Sequence, residues 1–227
     1  MTSKSLPVSV ILLAGGQGTR MRSSIPKQFV PIYGKPLALY SFELFLNHPQ
    51  VTEIIVVCGT EYQSLFPASD KIDFALPGSR RQDSVFNGFE KTKEKGLICV
   101  HDSARPLLSE ASLDALFDQA QRYGAAALAV PAKNTVKEAD PNLFIRRTLD
   151  RSTLWEMHTP QVAAAHLLKK GFEIIHDYNL EVTDDAAIVE LTGHPVKLVP
   201  DSYRNIKITT SEDWPLAETF LAPARIP

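Results

Sequence analysis

The chain has 227 residues, 44% of them hydrophobic and 22% charged, a composition that excludes a disordered chain, a collagen-like fibre and a disulfide-stapled mini-protein. Lys and Arg number 24 against 26 Asp and Glu, a net charge of −2, so no basic field is present to hold nucleic acid and any anion site must be local. The apolar run Val8–Ala14 is far shorter than the roughly 20 residues that span a bilayer and lacks a signal-peptide cleavage pattern, so no membrane partner is expected.

That run reads as a buried strand. A helix near Leu37–Leu46, a strand at Glu53–Cys58, a short helix near Tyr62, a strand at Ile72–Leu76 and a helix from about Asp83 to Lys93 follow. Leu97–His101 is a further strand, Leu113, Leu116, Phe117 and Ala120 recur at helical spacing, and Ala125–Pro131 is another apolar run. Strands apolar on both faces belong to a sheet covered by helices on both sides, so the expected class is α/β, a Rossmann-like domain with a mostly parallel sheet of about seven strands.

From Lys133 to Thr148 the pattern changes to polar alternation around a turn-rich Glu138–Asn142, which reads as a β-hairpin projecting from the domain. Helices around Ala163–Asp177 and Asp184–Leu191 come next, then strands at Val196–Val199 and Asn205–Ile208 and a last helix with Ser211 as N-cap. With no repeat or linker, residues 1–227 form one expected domain carrying a hairpin arm at about 133–150. Cys58 and Cys99 lie in strand-like runs without a CxxC or a nearby His ligand, which reads as buried reduced thiols and a cytoplasmic protein.

Gly15, Gly16 and Gly18 directly follow the first strand and lead to Thr19 and Arg20. Such a loop brings backbone N–H groups close to an anion and ends in a bidentate donor, although a ligand-free turn has the same composition. Neither better-known phosphate loop fits: G-x-G-x-x-G would need glycine at Met21, and G-x-x-x-x-G-K-[ST] would meet Arg20 where it needs glycine. Lys27, on the Pro26-Lys27-Gln28 segment, adds a second cation within reach of the loop.

LAGGQGTRM with the following PKQ is similar to the signature of nucleotidyltransferases. PGSRRQDSV, HDSARP, NTVK, DRSTLW, HTPQ, TDDAA and NIKITT resemble, in order and spacing, the 2-C-methyl-D-erythritol 4-phosphate cytidylyltransferase family of the non-mevalonate isoprenoid pathway, over about Val8 to Leu221. The resemblance implies transfer of a cytidylyl group from CTP to methylerythritol phosphate with release of pyrophosphate. It assigns backbone at Ala14, Gly15, Gly16 and Gly78, and the Ser84 hydroxyl, to cytosine and ribose. Arg20 and Lys27 fall on the triphosphate, with Lys207 a third catalytic cation. Asp102, Ser103 and Arg105 fall at the sugar end, and Thr135, Arg151, Thr159 and Lys207 on the acceptor, with the hairpin reaching across a homodimer. Magnesium is implied as well, held mainly by the CTP phosphates, with Asp102 a candidate ligand. Two departures stand out: Ala14-Gly15-Gly16 replaces the usual A-A-G, and Ser103 stands where alanine or glycine is more usual.

A phosphate monoester has a second pKa of about 6, so its oxygen is already ionised at neutral pH and needs no general base. No G-x-S-x-G elbow and no catalytic cysteine pattern appears, whereas the motif cations suit in-line phosphoryl chemistry. His101 reads as a hydrogen-bonded structural histidine, and Asp184 and Asp185 as the first turn of a helix. The rivals are a cytidylyltransferase for another polyol phosphate such as ribitol 5-phosphate, and a nucleotide sensor without catalysis.

Overall fold

Val8, Val10 and Leu12 alternate with Ile11, all with no exposed surface, so the first strand buries both of its faces and needs cover on each. The computed structural model describes residues 5–16, 25–93 and 96–222. The strands are β1 (Val8–Leu13), β2 (Pro31–Ile32), β3 (Lys35–Pro36), β4 (Val51–Val57), β5 (Ile72–Ala75), β6 (Leu97–Asp102), β7 (Ala125–Pro131), β8 (Lys137–Ala139), β9 (Ile145–Thr148), β10 (Trp155–Ala164) and β11 (Lys197–Pro200). The helices are α1 (Leu37–Asn47), α2 (Arg81–Phe89), α3 (Glu110–Tyr123), α4 (Ala165–Tyr178), α5 (Asp185–Glu190) and α6 (Trp214–Leu221).

Seven strands form the main sheet in the order β11-β7-β10-β6-β1-β4-β5. All neighbours are parallel except β10, which runs antiparallel to β6 and β7. Phe42 and Phe45 of α1 and Leu113, Leu116 and Phe117 of α3 pack on the side of Val10 and Leu12. Val85 of α2, Leu168 and Phe172 of α4 and Ile188 of α5 pack on the side of Ile11 and Ile55. This is the expected α/β architecture. Cys58 and Cys99 are buried free thiols within it.

β8 and β9 pair only with each other, as the hairpin expectation requires. All four residues of β9 are exposed, and so are Leu143 and Phe144 at the tip. The arm grows from the main sheet where Ala132 N–H donates to Leu154 O at 3.0 Å and Trp155 pairs with Pro131.

Three local expectations need correction. The sequence reading has a helix from about Ala163 and no strand before it; β10 is a central strand that runs through Ala164, and α4 starts at Ala165. Pro160 cannot donate to a ladder, but it lies in the irregularity between Met157 and Gln161, where the pairing shifts register. The segment Asn205–Ile208 is not a strand. Buried side chains hold it instead, together with one ladder-like bond from Ile208 N–H to Ala104 O at 2.9 Å. The final helical segment is capped by Thr210, not Ser211: Asp213 accepts from the N–H groups of Thr209 and Thr210 in a capping box.

Candidate active site

The chain leaves β1 toward β4 on one side and returns to β6 on the other, and ligands of open α/β sheets bind at the carboxyl ends of such a switch point. A cleft of about 630 Å³ opens there, lined by Gly15, Gly16, Lys27, Gly78, Arg81, Ser84, Asp102, Ser103 and Lys207 among others.

One end is built largely of backbone. Ala14 N–H continues the β1–β4 ladder onto Val57 O at 2.9 Å. Gln28 donates its amide to Ala14 O at 2.7 Å and Gly16 O at 2.8 Å, so both carbonyls are satisfied on the side of the 3₁₀ turn Lys27–Phe29. Phe29 stacks on Tyr62 with centroids 4.0 Å apart, which pins that turn. A Cβ on Gly15 would lie 2.4 Å from Pro77 Cβ, so glycine lets that loop close on the Pro77 segment, and one on Gly78 would lie 2.4 Å from Asp83 Cβ, so glycine lets the segment fold back on the start of α2. Ser84 Oγ accepts from Gly78 N–H at 3.0 Å and faces Arg80 O at 3.3 Å. Arg20 lies outside the described residues.

The other end is built of charged side chains. Lys207 Nζ donates to Asp102 Oδ2 at 2.5 Å. Arg81 donates through Nε and Nη2 to Asp102 Oδ1 at 3.2 and 3.1 Å, and through Nη1 and Nη2 to Asp185 at 2.9 and 2.8 Å. Burial opposes the charge on Asp102, but Arg81 and Lys207 beside it hold the carboxyl well below the usual range. Burial likewise opposes the charge on Arg81, and the two carboxylates keep it protonated above the ordinary arginine range. Burial pushes the Asp185 carboxyl up against the pull of Arg81.

Beneath Asp102 runs a chain of neutral groups. His101 Nε2 faces Arg105 O, an acceptor only, at 3.1 Å, so Nε2 carries the proton and Nδ1 accepts from the Thr159 hydroxyl at 3.2 Å. Thr159 Oγ1 in turn accepts from Asp102 N–H at 3.0 Å. Burial pushes the His101 imidazole down to about 4, so it is neutral at physiological pH, as the structural reading expects.

Thr159 is 5% exposed and its single hydroxyl proton is used inside the protein. Ser103 likewise donates its hydroxyl to Leu13 O at 2.7 Å and keeps only lone pairs for a ligand. Arg105 is 8% exposed; it donates to Asn205 O at 2.6 Å and Met157 O at 3.2 Å and so tethers the segment that bears Lys207. Thr135 and Arg151 are exposed at the root of the arm, away from the cleft lining of their own chain, and Arg151 donates to Lys133 O at 2.6 Å.

The sequence reading gave no role to Gln28 or Arg81, although both stand in quoted motifs. It placed Asp185 in a helix's first turn, where Asp184 indeed caps α5 by accepting from Ala187 N–H at 3.0 Å. The pairing of Asp185 with Arg81, far away in the chain, had no signal in spacing.

The family model for 2-C-methyl-D-erythritol 4-phosphate cytidylyltransferase matches residues 8–223. The chain is 49% identical over 224 residues to the chloroplastic protein of that name from Oryza sativa subsp. japonica, covering 96% of this chain and 75% of that protein. It is 41% identical over 213 residues to the Chlamydia pneumoniae protein of that name, covering 94% and 98%. The crystal structure of the corresponding Francisella tularensis protein superposes with a TM-score of 0.83 at 33% identity, covering 95% of this chain and all of that one. The glycine loops, the cations and the match along nearly the whole chain agree, and the chain belongs to the 2-C-methyl-D-erythritol 4-phosphate cytidylyltransferase family.

Proposed function

We propose that the cleft at the ends of β1 and β6 is where this enzyme aligns its two substrates. The chain is a nucleotidyltransferase: it transfers a cytidylyl group from CTP to 2-C-methyl-D-erythritol 4-phosphate, giving 4-diphosphocytidyl-2-C-methyl-D-erythritol and pyrophosphate, in isoprenoid precursor biosynthesis. The observation that carries the site reading is the Asp102–Lys207 pair standing across one cleft from the Gly15–Gly16 loop and Lys27.

The backbone at Ala14, Gly15, Gly16 and Gly78, with Ser84, holds the cytidine, and Arg20 and Lys27 grip the triphosphate. Lys207 and Arg105 lie toward the acceptor, with Asp102, Ser103 and Thr159 shaping that end. An ionised oxygen of the acceptor phosphate attacks the α-phosphorus, the bond to the β-phosphate oxygen breaks, and pyrophosphate leaves with both electrons. Lys27 stabilises the charge that grows on the leaving group, and Lys207 draws the attacking phosphate in line.

Among the described residues no group of three or more His, Cys, Asp or Glu side chains forms a metal cage. A single ionised carboxylate suits magnesium, which takes one or two carboxylates and completes its shell with substrate phosphates. Magnesium would be held mainly by the CTP phosphates and would neutralise triphosphate charge there; Asp102, both of whose oxygens already accept from Arg81 and Lys207, offers it no free oxygen in this arrangement.

The arm brings Thr135 and Arg151 to the acceptor end of a second copy, so the enzyme works as a homodimer. We place it in the cytoplasm, in keeping with two free thiols and with the lack of any described helix long and apolar enough to cross a membrane. Pyrophosphate release with CTP and methylerythritol phosphate, and with ribitol 5-phosphate as the competing acceptor, tests the reading. Lys27→Ala is expected to lower kcat about a hundredfold or more with an unchanged melting curve. Near-wild-type turnover by that variant removes Lys27 from the site, and preference for ribitol 5-phosphate replaces the acceptor.

A further inference from the structure

The reaction as described gives Arg81 no task, yet its guanidinium makes four hydrogen bonds to two carboxylates at the cleft. Asp185, on the far side of it, has a side chain only 3% exposed and would be a bare buried charge without that fork. The anchor is held from several directions. Gln82, next to Arg81 on α2, donates to Leu180 O at 3.0 Å and accepts from Val182 N–H at 2.9 Å. Gln161 of β10 accepts from Ala186 N–H at 2.7 Å and donates to Asp184 at 3.0 Å, which fixes the start of α5. Lys207 is the loose partner by contrast: its side chain is 38% exposed, on a segment that belongs to no strand or helix.

Asp102 thus has one oxygen on a fixed cation and the other on a movable one. We propose that Arg81, anchored by Asp185, is a positioning residue for acceptor binding: it fixes the Asp102 carboxylate so that Oδ2 presents Lys207 to the incoming phosphate, and it remains as the partner of Asp102 when Lys207 turns to that phosphate. A carboxylate left without any cation would keep hold of Lys207 and repel the acceptor. The inference deepens the acceptor-site reading and rests on it.

The experiment separates positioning from mere stabilisation by removing both buried charges together. In Arg81→Met combined with Asp185→Leu no unpaired charge is left inside, so the variant should melt within about 5 °C of the wild type. Its CTP dissociation constant, measured by binary titration, should stay within about threefold, while kcat/KM for methylerythritol phosphate falls about ten- to a hundredfold, the scale of losing an outer hydrogen-bond partner. Wild-type acceptor kinetics in that variant would show a stabilising pair only and overturn the proposal. Should it fail to fold, Arg81→Lys decides, since it keeps the charge and loses the fork: reduced acceptor kcat/KM at an unchanged melting temperature supports the proposal, and unchanged kinetics overturn it. Adding Arg81→Lys to Asp102→Asn should cost less than about threefold more, because the effect runs through Asp102, and full additivity overturns that route. Lys207→Ala and Asp102→Asn are assayed alongside. If both turn over normally, the acceptor-site reading itself fails; if both are impaired while the Arg81 variants are not, only the present inference does.

Discussion

Five of the six residues of β1 are buried, whereas every residue of β9 is exposed and Ile145 keeps 65% of its surface. β1 lies between two parallel neighbours and under helices on both faces, so its geometry is set many times over by packing. β9 has one partner strand and no covering layer, and a lone two-stranded hairpin is marginal in water. The difference teaches where each half of the site gets its order. The Gly15–Gly16 loop and the Asp102 cluster inherit rigidity from the core of their own chain, while Thr135 and Arg151 at the arm's root are exposed and, on the proposed reading, gain theirs from a second copy.

The sharpest way to break this contrast is to mix two lesions. Lys207→Ala and Arg151→Ala should each abolish most turnover alone. If the arm serves the partner's cleft, half the dimers in an equal mixture carry one intact site in two, and activity should return to about a quarter of wild type. A mixture no better than the sum of its parents would place Arg151 in its own chain's site. Next in size is the core itself. Phe42→Ala should cost about 3–5 kcal/mol in denaturant unfolding, because the ring is fully buried and edge-on to Phe66. Ile145→Ala, tested as a monomer at low concentration, should shift stability by less than about 0.5 kcal/mol.

His101 gives a pH-dependent version of the same contrast. Burial pushes its native imidazole down to about 4, against about 6.5 for a solvated histidine, so below 6.5 the unfolded chain takes up a proton that the native chain refuses. Stability contributed by this group is complete above about pH 6.5 and falls as pH drops toward 4, by about 3 kcal/mol in all. Urea melts at pH 7 and pH 5 on the wild type and on His101→Asn should show that dependence only in the former. The glycine loop carries the same contrast within two residues. Gly15→Ala forces a Cβ onto Pro77 and should cost about 1–3 kcal/mol together with a raised KM for CTP. Gly16→Ala meets nothing within 4 Å and should leave stability within about 0.5 kcal/mol.

Continuous apolar runs carried the sheet, helical spacing of apolar residues carried the helices and polar alternation carried the hairpin, because local period encodes which side an element buries. It missed β10, whose Glu156, His158 and Pro160 break the strand signal although tertiary pairing with β6 and β7 overrides it. It also read a strand into Asn205–Ile208, where apolar alternation is present but Asn205 and Arg105 take the backbone's place as the tether. Lys27, Gly78, Ser84, Asp102 and Lys207, named from separate motifs, line one cleft. Arg81 and Asp185 escaped because a partnership between distant segments leaves no local pattern in either.

The base of the arm has one further implication. Its two legs leave adjacent, mutually paired strands, closed by the Ala132–Leu154 hydrogen bond and the Pro131–Trp155 pairing. Everything beyond that seam can be lengthened, shortened or exchanged without altering a rung of the main sheet. On the proposed reading, grafting the hairpin of a cytidylyltransferase with a different alcohol preference onto this seam would transplant part of an acceptor pocket without touching the body that handles the nucleotide. If the arm serves a second copy's cleft, such enzymes can diversify by trading one surface cassette, with selection acting on the recipient's neighbour more than on the recipient itself.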